Sequence, residues 1–87
     1  MIEFMDFALL VNAKTFISLE KLKEKFKNYT LEGIRKRLNK LCKQGLMESL
    51  IVNNKTFFRT TAKGCKAALD FYESQGLEDF RKFLELS

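Results

Sequence analysis

The sequence predicts a mainly helical α+β fold in which a single β-hairpin interrupts a series of short helices. Apolar residues recur at intervals of three and four along most of the chain, which is the spacing of amphipathic helices. Residues 47–60 differ, because two β-rich runs flank the pair Asn53 and Asn54. With 87 residues, 46% of them apolar, and no proline, the chain is expected to form one domain over residues 1–87.

The first three helices are predicted from capping residues and from apolar spacing. The first ends before Asn12, and a short β-like strip at residues 15–17 separates it from the second. Ser18 and Thr30 are good N-caps for the second and third helices, and Gly45 supplies a left-handed residue that ends the third. The apolar stripes are Phe4, Phe7, Ala8, Leu10 and Val11, then Leu19, Leu22 and Phe26, then Leu31, Ile34, Leu38, Leu41 and Cys42.

The two β-rich runs are expected to pair as a hairpin. Asparagines tolerate positive φ, so residues 53–54 are the predicted turn. This turn places Glu48 opposite Arg59 and Leu50 opposite Phe57.

After the hairpin, Thr61 is expected to cap a fourth helix that ends at Gly76. Its predicted inward residues are Cys65, Ala68, Leu69 and Tyr72. Residues 1–76 would form the body of the domain, and residues 77–87 a short additional C-terminal helix.

Charge is distributed unevenly along the chain. The formal net charge is +5, but residues 14–66 carry fourteen cations and four acids, whereas residues 1–13 carry two acids and no cation. Residues 67–87 carry two cations and five acids. A basic centre indicates a polyanionic partner, either a nucleic acid or an acidic membrane surface, and a solvated lysine-rich surface is the plain alternative.

The order of the predicted elements, with a short break before the third helix, is that of a winged helix-turn-helix. The stretches "LNKLCKQGLMESL" and "FFRTTAKG" resemble the winged-helix repressors of the multiple-antibiotic-resistance type, and the small size of the chain resembles the short winged-helix proteins of archaea and their viruses. The resemblance covers residues 18–72 and implies a DNA-binding transcription regulator. Thr60 stands where the family generally has an apolar residue, which predicts looser packing at the root of the wing. The matching residues are Leu38, Leu41, Gly45, Leu46, Phe58, Arg59, Thr61, Lys63 and Gly64.

The third helix is the predicted reading element. Its cations project away from the apolar stripe, and in a winged helix this face enters the major groove. Arg35 and Arg37 are expected to read base edges, whereas Lys36 and Lys40 are expected to bind phosphates. The residues of this helix and its cap that are expected to contact DNA are Thr30, Glu32, Gly33, Arg35, Lys36, Arg37, Asn39 and Lys40.

Two further elements are expected to lie against DNA. The hairpin would contact the adjacent backbone or the minor groove, and the second helix would contact the flanking backbone. Each has a plain alternative, because asparagines also suit a hairpin turn and lysines also suit a solvated helix. The residues concerned are Asn53, Asn54, Lys55 and Arg59 of the hairpin, and Lys21 and Lys25 of the second helix.

Other chemistry is poorly supported. The chain has no histidine and no glycine-rich phosphate loop, so we expect no enzyme, no metal and no cofactor. Cys42 and Cys65 are interpreted as buried free thiols in a reducing cytoplasm, with a redox switch at Cys42 as the alternative. The longest apolar run is residues 7–11, and the first residues carry two acids, so neither a signal peptide nor a membrane span is expected.

A homodimer is expected as the working form. A helix at residues 77–86 is too short to be stable alone, so it should cover either Phe4 and Phe7 of its own first helix or the same patch of a second copy. The acidic chain ends favour the second copy. The residues of its apolar stripe are Leu77, Phe80, Phe83 and Leu84. Three classes stay open: a sequence-specific regulator, a sequence-tolerant DNA-coating protein, and a winged helix that docks on an acidic protein.

Overall fold

The computed structural model describes residues 2–75, which form four helices and a three-stranded antiparallel sheet. The fold is therefore α+β, as the sequence predicts. The elements are α1 (Phe4–Val11), β1 (Ile17–Ser18), α2 (Leu19–Lys25), α3 (Leu31–Lys43), β2 (Met47–Val52), β3 (Lys55–Thr60) and α4 (Ala62–Ser74). The predicted helix at residues 77–86, with Leu77, Phe80, Phe83 and Leu84, lies outside the described residues.

The hairpin formed by β2 and β3 has the predicted register. Glu48 pairs with Arg59, and Leu50 pairs with Phe57. The two turn residues at 53–54 have φ values of 50° and 65°, as a type I′ turn requires. Strand β1 pairs with the other side of β3, so the order in the sheet is β1-β3-β2 and β2 lies at an edge.

The helices begin at the predicted capping residues. The hydroxyl groups of Ser18, Thr30 and Thr61 each accept a hydrogen bond from the backbone N–H three residues later. These hydroxyls satisfy N–H groups that have no partner inside the helix. Gly45, with a φ of 76°, follows the end of α3 in the left-handed conformation that the sequence predicts.

The core lies between the helices and the inner face of the sheet. Helix α1 is its centre, because six of its eight residues are buried and it contacts α3, α4 and β3. The buried apolar residues are Met5, Phe7, Ala8, Leu9, Leu10, Ala13, Leu19, Leu22, Ile34, Leu38, Leu41, Leu46, Met47, Phe58 and Ala68.

Thr60 joins the hairpin to α1. Its side chain is buried, and its hydroxyl donates to the Leu10 carbonyl at 2.7 Å, while its N–H donates to the Ala13 carbonyl at 2.8 Å. The expectation that Thr60 loosens the root of the hairpin is therefore wrong. Its hydroxyl hydrogen-bonds a carbonyl in the last turn of α1, and this contact ties the base of β3 to the core.

Helix α4 buries a different face from the one predicted. Its buried residues are Gly64 and Ala68, whereas Cys65 is exposed and Leu69 is 54% exposed. The rotation of the helix follows from Gly64, which lies against the Leu46 carbonyl, rather than from the most apolar residues. The apolar pattern alone therefore misplaces two residues of this helix.

The two predicted interface residues of α1 differ in exposure. Phe4 is 41% exposed, whereas Phe7 is 1% exposed. The Phe7 ring lies 5.1 Å from the Phe71 ring, measured between centroids. Phe7 is therefore a core residue, and Phe4 is the member of the pair that lies at the surface.

Candidate nucleic-acid interface

The exposed side of α3 carries most of the predicted site. Ile34, Leu38 and Leu41 are buried, but Leu31 is 42% exposed, so the buried stripe begins one turn later than predicted. Among residues 2–75, none of the four cations on the exposed side takes part in an ion pair. The residues of this side, called the α3 polar face below, are Glu32, Arg35, Lys36, Asn39, Lys40 and Lys43.

Arg37 lies at the edge of α3 that contacts α1. Its guanidinium donates to the Glu3 carboxylate at 3.0 Å and to the Asp6 carboxylate at 3.3 Å. Burial acts to lower the pKa of Arg37, but the hydrogen bonds and charges of Glu3 and Asp6 outweigh this effect and raise the pKa above its usual value. Arg37 is therefore a permanent cation held against α1, which differs from the base-reading role that the sequence predicts.

The Asp6 carboxylate connects this ion pair to the start of α1. Its side chain is 1% exposed, and its second oxygen accepts a hydrogen bond from the Glu3 N–H at 3.0 Å. A buried carboxylate needs both partners, because an unpaired charge in the core is costly. The pair thus fixes the orientation of α3 relative to α1.

The other end of α3 is closed by its own backbone. The Gly45 N–H donates to the Cys42 carbonyl at 3.0 Å, and the Leu46 N–H donates to the Leu41 carbonyl at 2.9 Å. This pair of bonds is the Schellman motif, which requires a left-handed residue at position 45. The chain therefore turns sharply out of α3 into β2.

The three carbonyls that follow α3 are bound by the start of α4. The Lys63 Nζ donates to the Gln44 carbonyl at 3.1 Å, and the Thr61 hydroxyl donates to the Gly45 carbonyl at 2.7 Å. The Thr61 N–H donates to the Leu46 carbonyl at 3.1 Å. The stretch "TAKG" therefore holds the end of α3 in place.

Gly64 allows α4 to approach this junction. A Cβ atom at this position would lie 1.9 Å from the Leu46 carbonyl oxygen and 2.8 Å from the Thr60 methyl group. A side chain cannot occupy that space unless α4 moves away from the backbone of Leu46. Glycine is therefore needed here for packing rather than for an unusual φ.

The first turn of α3 is organised by Thr30. Its hydroxyl accepts a hydrogen bond from the Gly33 N–H at 3.0 Å, which leaves the hydroxyl proton available to an external acceptor. A Cβ atom at Gly33 would lie 3.1 Å from this hydroxyl oxygen. Glu32 is exposed in the same turn. Its negative charge interacts favourably with the partial positive charge of the helix N-terminus, but it would repel a DNA phosphate.

The predicted lysines of α2 lie at the surface. The Lys21 Nζ is 3.8 Å from the Glu24 carboxylate, and both side chains are about 70% exposed. An ion pair so exposed is weak and leaves the lysine available to a stronger anion. Lys25, the last residue of α2, is also exposed.

The four hairpin residues that are predicted to contact DNA fall into two groups. Asn53, Asn54 and Lys55, called the hairpin tip below, are all exposed. Arg59 is instead held on the sheet, where its guanidinium forms an ion pair with Glu48 and lies 4.6 Å above the Phe16 ring. Of the four predicted hairpin contacts, the three at the tip are therefore the ones without a side-chain hydrogen bond or ion pair among residues 2–75.

Two groups of exposed residues are not predicted from the sequence. Lys27, Asn28 and Tyr29 are exposed in the turn before α3, and Tyr29, which is 46% exposed, packs edge-on against Phe26. The break between the helices is the one sequence signal for this group.

The second group is apolar and lies in β2: Leu50 is 46% exposed, Ile51 is 70% exposed and Val52 is 44% exposed.

The cysteines are free thiols in different surroundings. Cys42 is partly buried, and this burial raises the pKa of its thiol, which favours the less reactive protonated form. Cys65 is exposed rather than buried as predicted. Within residues 2–75, no cluster of His, Cys, Asp or Glu is arranged to hold a metal ion, and no helix is long and apolar enough to cross a membrane.

No protein-family model, no curated protein and no solved structure matches this chain. A functional proposal therefore depends on the geometry and charge of the site. The candidate site has three parts, which are the α3 polar face, the exposed lysines of α2 and the hairpin tip.

Proposed function

We propose that the chain is a winged helix-turn-helix protein that binds double-stranded DNA and regulates transcription. The observation that carries the proposal is the α3 polar face, in which four cations have no ion-pair partner among residues 2–75. Exposed cations of one sign on one helix favour a polyanionic ligand. The order α2, turn, α3 and hairpin supports the winged-helix interpretation.

In this proposal α3 lies in the major groove and the hairpin tip lies against the adjacent backbone. Helix α3 is held by its buried stripe, by the ion pair of Arg37 and by the carbonyl contacts of Thr61 and Lys63. A helix fixed in this way loses little conformational entropy when its side chains meet a ligand. Its rigidity supports base reading rather than loose electrostatic contact alone.

The exposed residues of α3 have different proposed roles, which follow from the chemistry of their side chains. Arg35 and Asn39 take the base-reading roles, since arginine pairs with guanine and asparagine with adenine. Lys36 and Lys40 bind phosphates as point charges. Arg37 positions the helix, because its guanidinium is bound to α1.

Binding to a labelled duplex as a function of salt tests the proposal. If two copies together neutralise about six to ten phosphates, log K is expected to fall with log salt with a slope of roughly −5 to −9. A binding constant that does not change with salt contradicts DNA binding through these cations. Selection from a random duplex library then shows whether one sequence is preferred.

Variants with matched charge locate the interface. Lys36→Ala combined with Lys40→Ala is expected to weaken binding to every duplex and, because two bound copies then lose four cations, to reduce the slope by roughly 4. Lys14→Ala combined with Lys66→Ala removes the same charge from exposed positions outside α3 and serves as the control. Arg35→Ala is expected to relax preference at one base pair by about 1–3 kcal/mol. Equal losses in the two double variants would contradict an interface on α3.

Competition separates the proposed regulator from the other two classes. A regulator keeps its selected site in excess random duplex, whereas a DNA-coating protein is displaced. A module that docks on an acidic protein retains neither duplex at physiological salt. Either of the last two results would replace transcription regulation as the function.

A further inference from the structure

We propose that the edge strand β2 is a pairing surface for a second copy of this chain. Strand β3 lies between β1 and β2, so one side of β2 has no strand partner among residues 2–75. An open row of backbone N–H and C=O groups is a template for another strand. This inference goes beyond DNA binding and does not depend on it.

The hairpin geometry identifies which backbone groups are open. A two-residue type I′ turn closes with Val52 and Lys55 as a hydrogen-bonded pair, and such pairs recur at every second residue. The intervening residues of β2, Ser49 and Ile51, therefore direct their N–H and C=O groups away from β3. These two residues supply donors and acceptors to an incoming strand.

Apolar side chains lie on both sides of this open edge. Leu50 and Val52 project from one face of the sheet and Ile51 from the other, and all three are at least 44% exposed. The strand lacks the devices that protect edges, since residues 47–52 contain no Lys or Pro and pair with β3 without a bulge. Its one charged residue, Glu48, is bound by Arg59.

A second copy is the occupant that matches these features. Antiparallel pairing about a two-fold axis at Ile51 places this residue opposite its own equivalent and places Leu50 opposite Val52. Each exposed apolar side chain of β2 then faces another apolar side chain. The register also suits the backbone, because Ile51 directs its hydrogen-bonding groups outward. Residues 49–53 carry no charge, so no like charges oppose each other.

Insertion into the minor groove of DNA is a different use of the same side chains. The position of the polar residues opposes it, since Asn53, Asn54 and Lys55 form the tip and the apolar residues lie behind them. Groove insertion also leaves the open backbone groups of Ser49 and Ile51 without a strand. Pairing between copies uses both the side chains and the backbone.

Sedimentation of the full chain without DNA tests the pairing. A short strand pair buries far less than the roughly 1,200 Å² of stable complexes, so weak association is expected between about 10 μM and 1 mM. Ile51→Lys is expected to raise the dissociation constant of the dimer about tenfold or more. Thr56→Lys is the control, because it adds the same charge to the cross-strand neighbour of Ile51 on β3 and should leave the dimer intact.

Two measurements test the backbone contribution. Ser49→Pro removes an outward N–H without removing a bond to β3, so it is expected to weaken the dimer as Ile51→Lys does. Hydrogen exchange at the Ser49 and Ile51 amides is expected to slow as protein concentration rises, whereas exchange at Leu50 stays unchanged. Slower exchange at Ser49 and Ile51 supports strand pairing even if Ser49→Pro fails to fold.

Three results would overturn the inference. The first is a monomer throughout the concentration range. The second is a dimer that Phe80→Glu with Leu84→Glu disrupts but Ile51→Lys does not, since the C-terminal residues would then form the interface. The third is a loss of DNA affinity in Ile51→Lys without any self-association, which would indicate groove insertion.

Discussion

Helix α3 and the hairpin project from the same core, but the core supports them differently. The residues Ile34, Leu38 and Leu41 are fully buried along the length of α3. In the hairpin, Phe58 and Thr60 are buried near the base, whereas Leu50 to Val52 are exposed toward the tip. A helix with a core behind it can carry several like charges on its outer face, because burial offsets their repulsion. A hairpin that extends past the core keeps apolar residues which only another surface can bury.

The largest expected effect is at the contact that holds the end of α3. Gly64→Ala places a Cβ atom 1.9 Å from the Leu46 carbonyl oxygen, so α4 must shift and its contacts with residues 44–46 are lost. We expect a loss of more than about 3 kcal/mol in the free energy of unfolding, measured by urea denaturation.

Gly33→Ala is the matched control for this prediction. Its Cβ atom would meet a hydroxyl oxygen at 3.1 Å rather than a backbone carbonyl, and alanine favours the helix by up to about 1 kcal/mol. The stability should therefore change by less than about 1 kcal/mol. Equal losses in the two variants would mean that the approach of α4 is not what fixes α3.

The next largest loss of stability is expected when an ion pair is broken, and its size should differ between the two regions. Arg37→Met leaves the buried Asp6 carboxylate without its cation, and because Arg37 itself is 34% exposed we expect a loss of about 1–3 kcal/mol. Arg59→Met breaks the pair with Glu48 on the hairpin, where both side chains are more than 40% exposed, and should cost less than about 1 kcal/mol. Thermal denaturation of both variants measures the difference. A larger loss at Arg59 would reverse the proposed contrast in anchoring.

The pH dependence of the Arg37 variant follows from the sign of its pKa shift. A raised pKa means that the stabilisation by Arg37 is fully present below the pKa of the unfolded chain and is lost only as the pH rises through the still higher folded value. Arginine therefore does not titrate between about pH 6 and pH 9. The stabilisation that the charge of Arg37 supplies to the wild type is therefore expected to be constant over that range, with no titration of Arg37 in thermal denaturation.

The fold is predicted well where local chemistry decides it. Ser18, Thr30 and Thr61 cap their helices, and the asparagine pair at 53–54 sets the register of the hairpin. These signals need no knowledge of the distant chain. The rotation of α4 depends instead on how Gly64 meets Leu46, which is a contact between distant segments, and apolar spacing misjudges it.

The same limit applies to the candidate site. Helical geometry predicts which side of α3 is polar, so Lys36 and Lys40 lie where expected. It does not predict that Arg37 meets Glu3 and Asp6, because the partners are more than thirty residues away in sequence. Nor does alternation along a strand predict that Ile51 is exposed, since alternation assumes a core beneath one face.

The smallest expected change from a substitution is at Ile51, and comparing it with Ile34 is the sharpest test of the contrast between the two regions. Ile51→Thr and Ile34→Thr make the same chemical change at a side chain that is 70% exposed and at one that is fully buried. At position 34 the change removes buried apolar volume and adds a hydroxyl to the core, so we expect a loss of about 2–4 kcal/mol. At position 51 threonine suits a strand and loses little burial, so the change should stay within about 0.5 kcal/mol.

Urea denaturation at low micromolar protein measures both isoleucine variants under conditions in which strand pairing between copies is weak. Repeating the measurement near 1 mM tests the same residue in its proposed interface, because the wild type should then gain stability with concentration while Ile51→Thr gains less. A large loss at position 51 in dilute protein would mean that the hairpin has support from its own chain at this point. The hairpin and α3 would then be anchored alike, and the edge of β2 would not be an open surface.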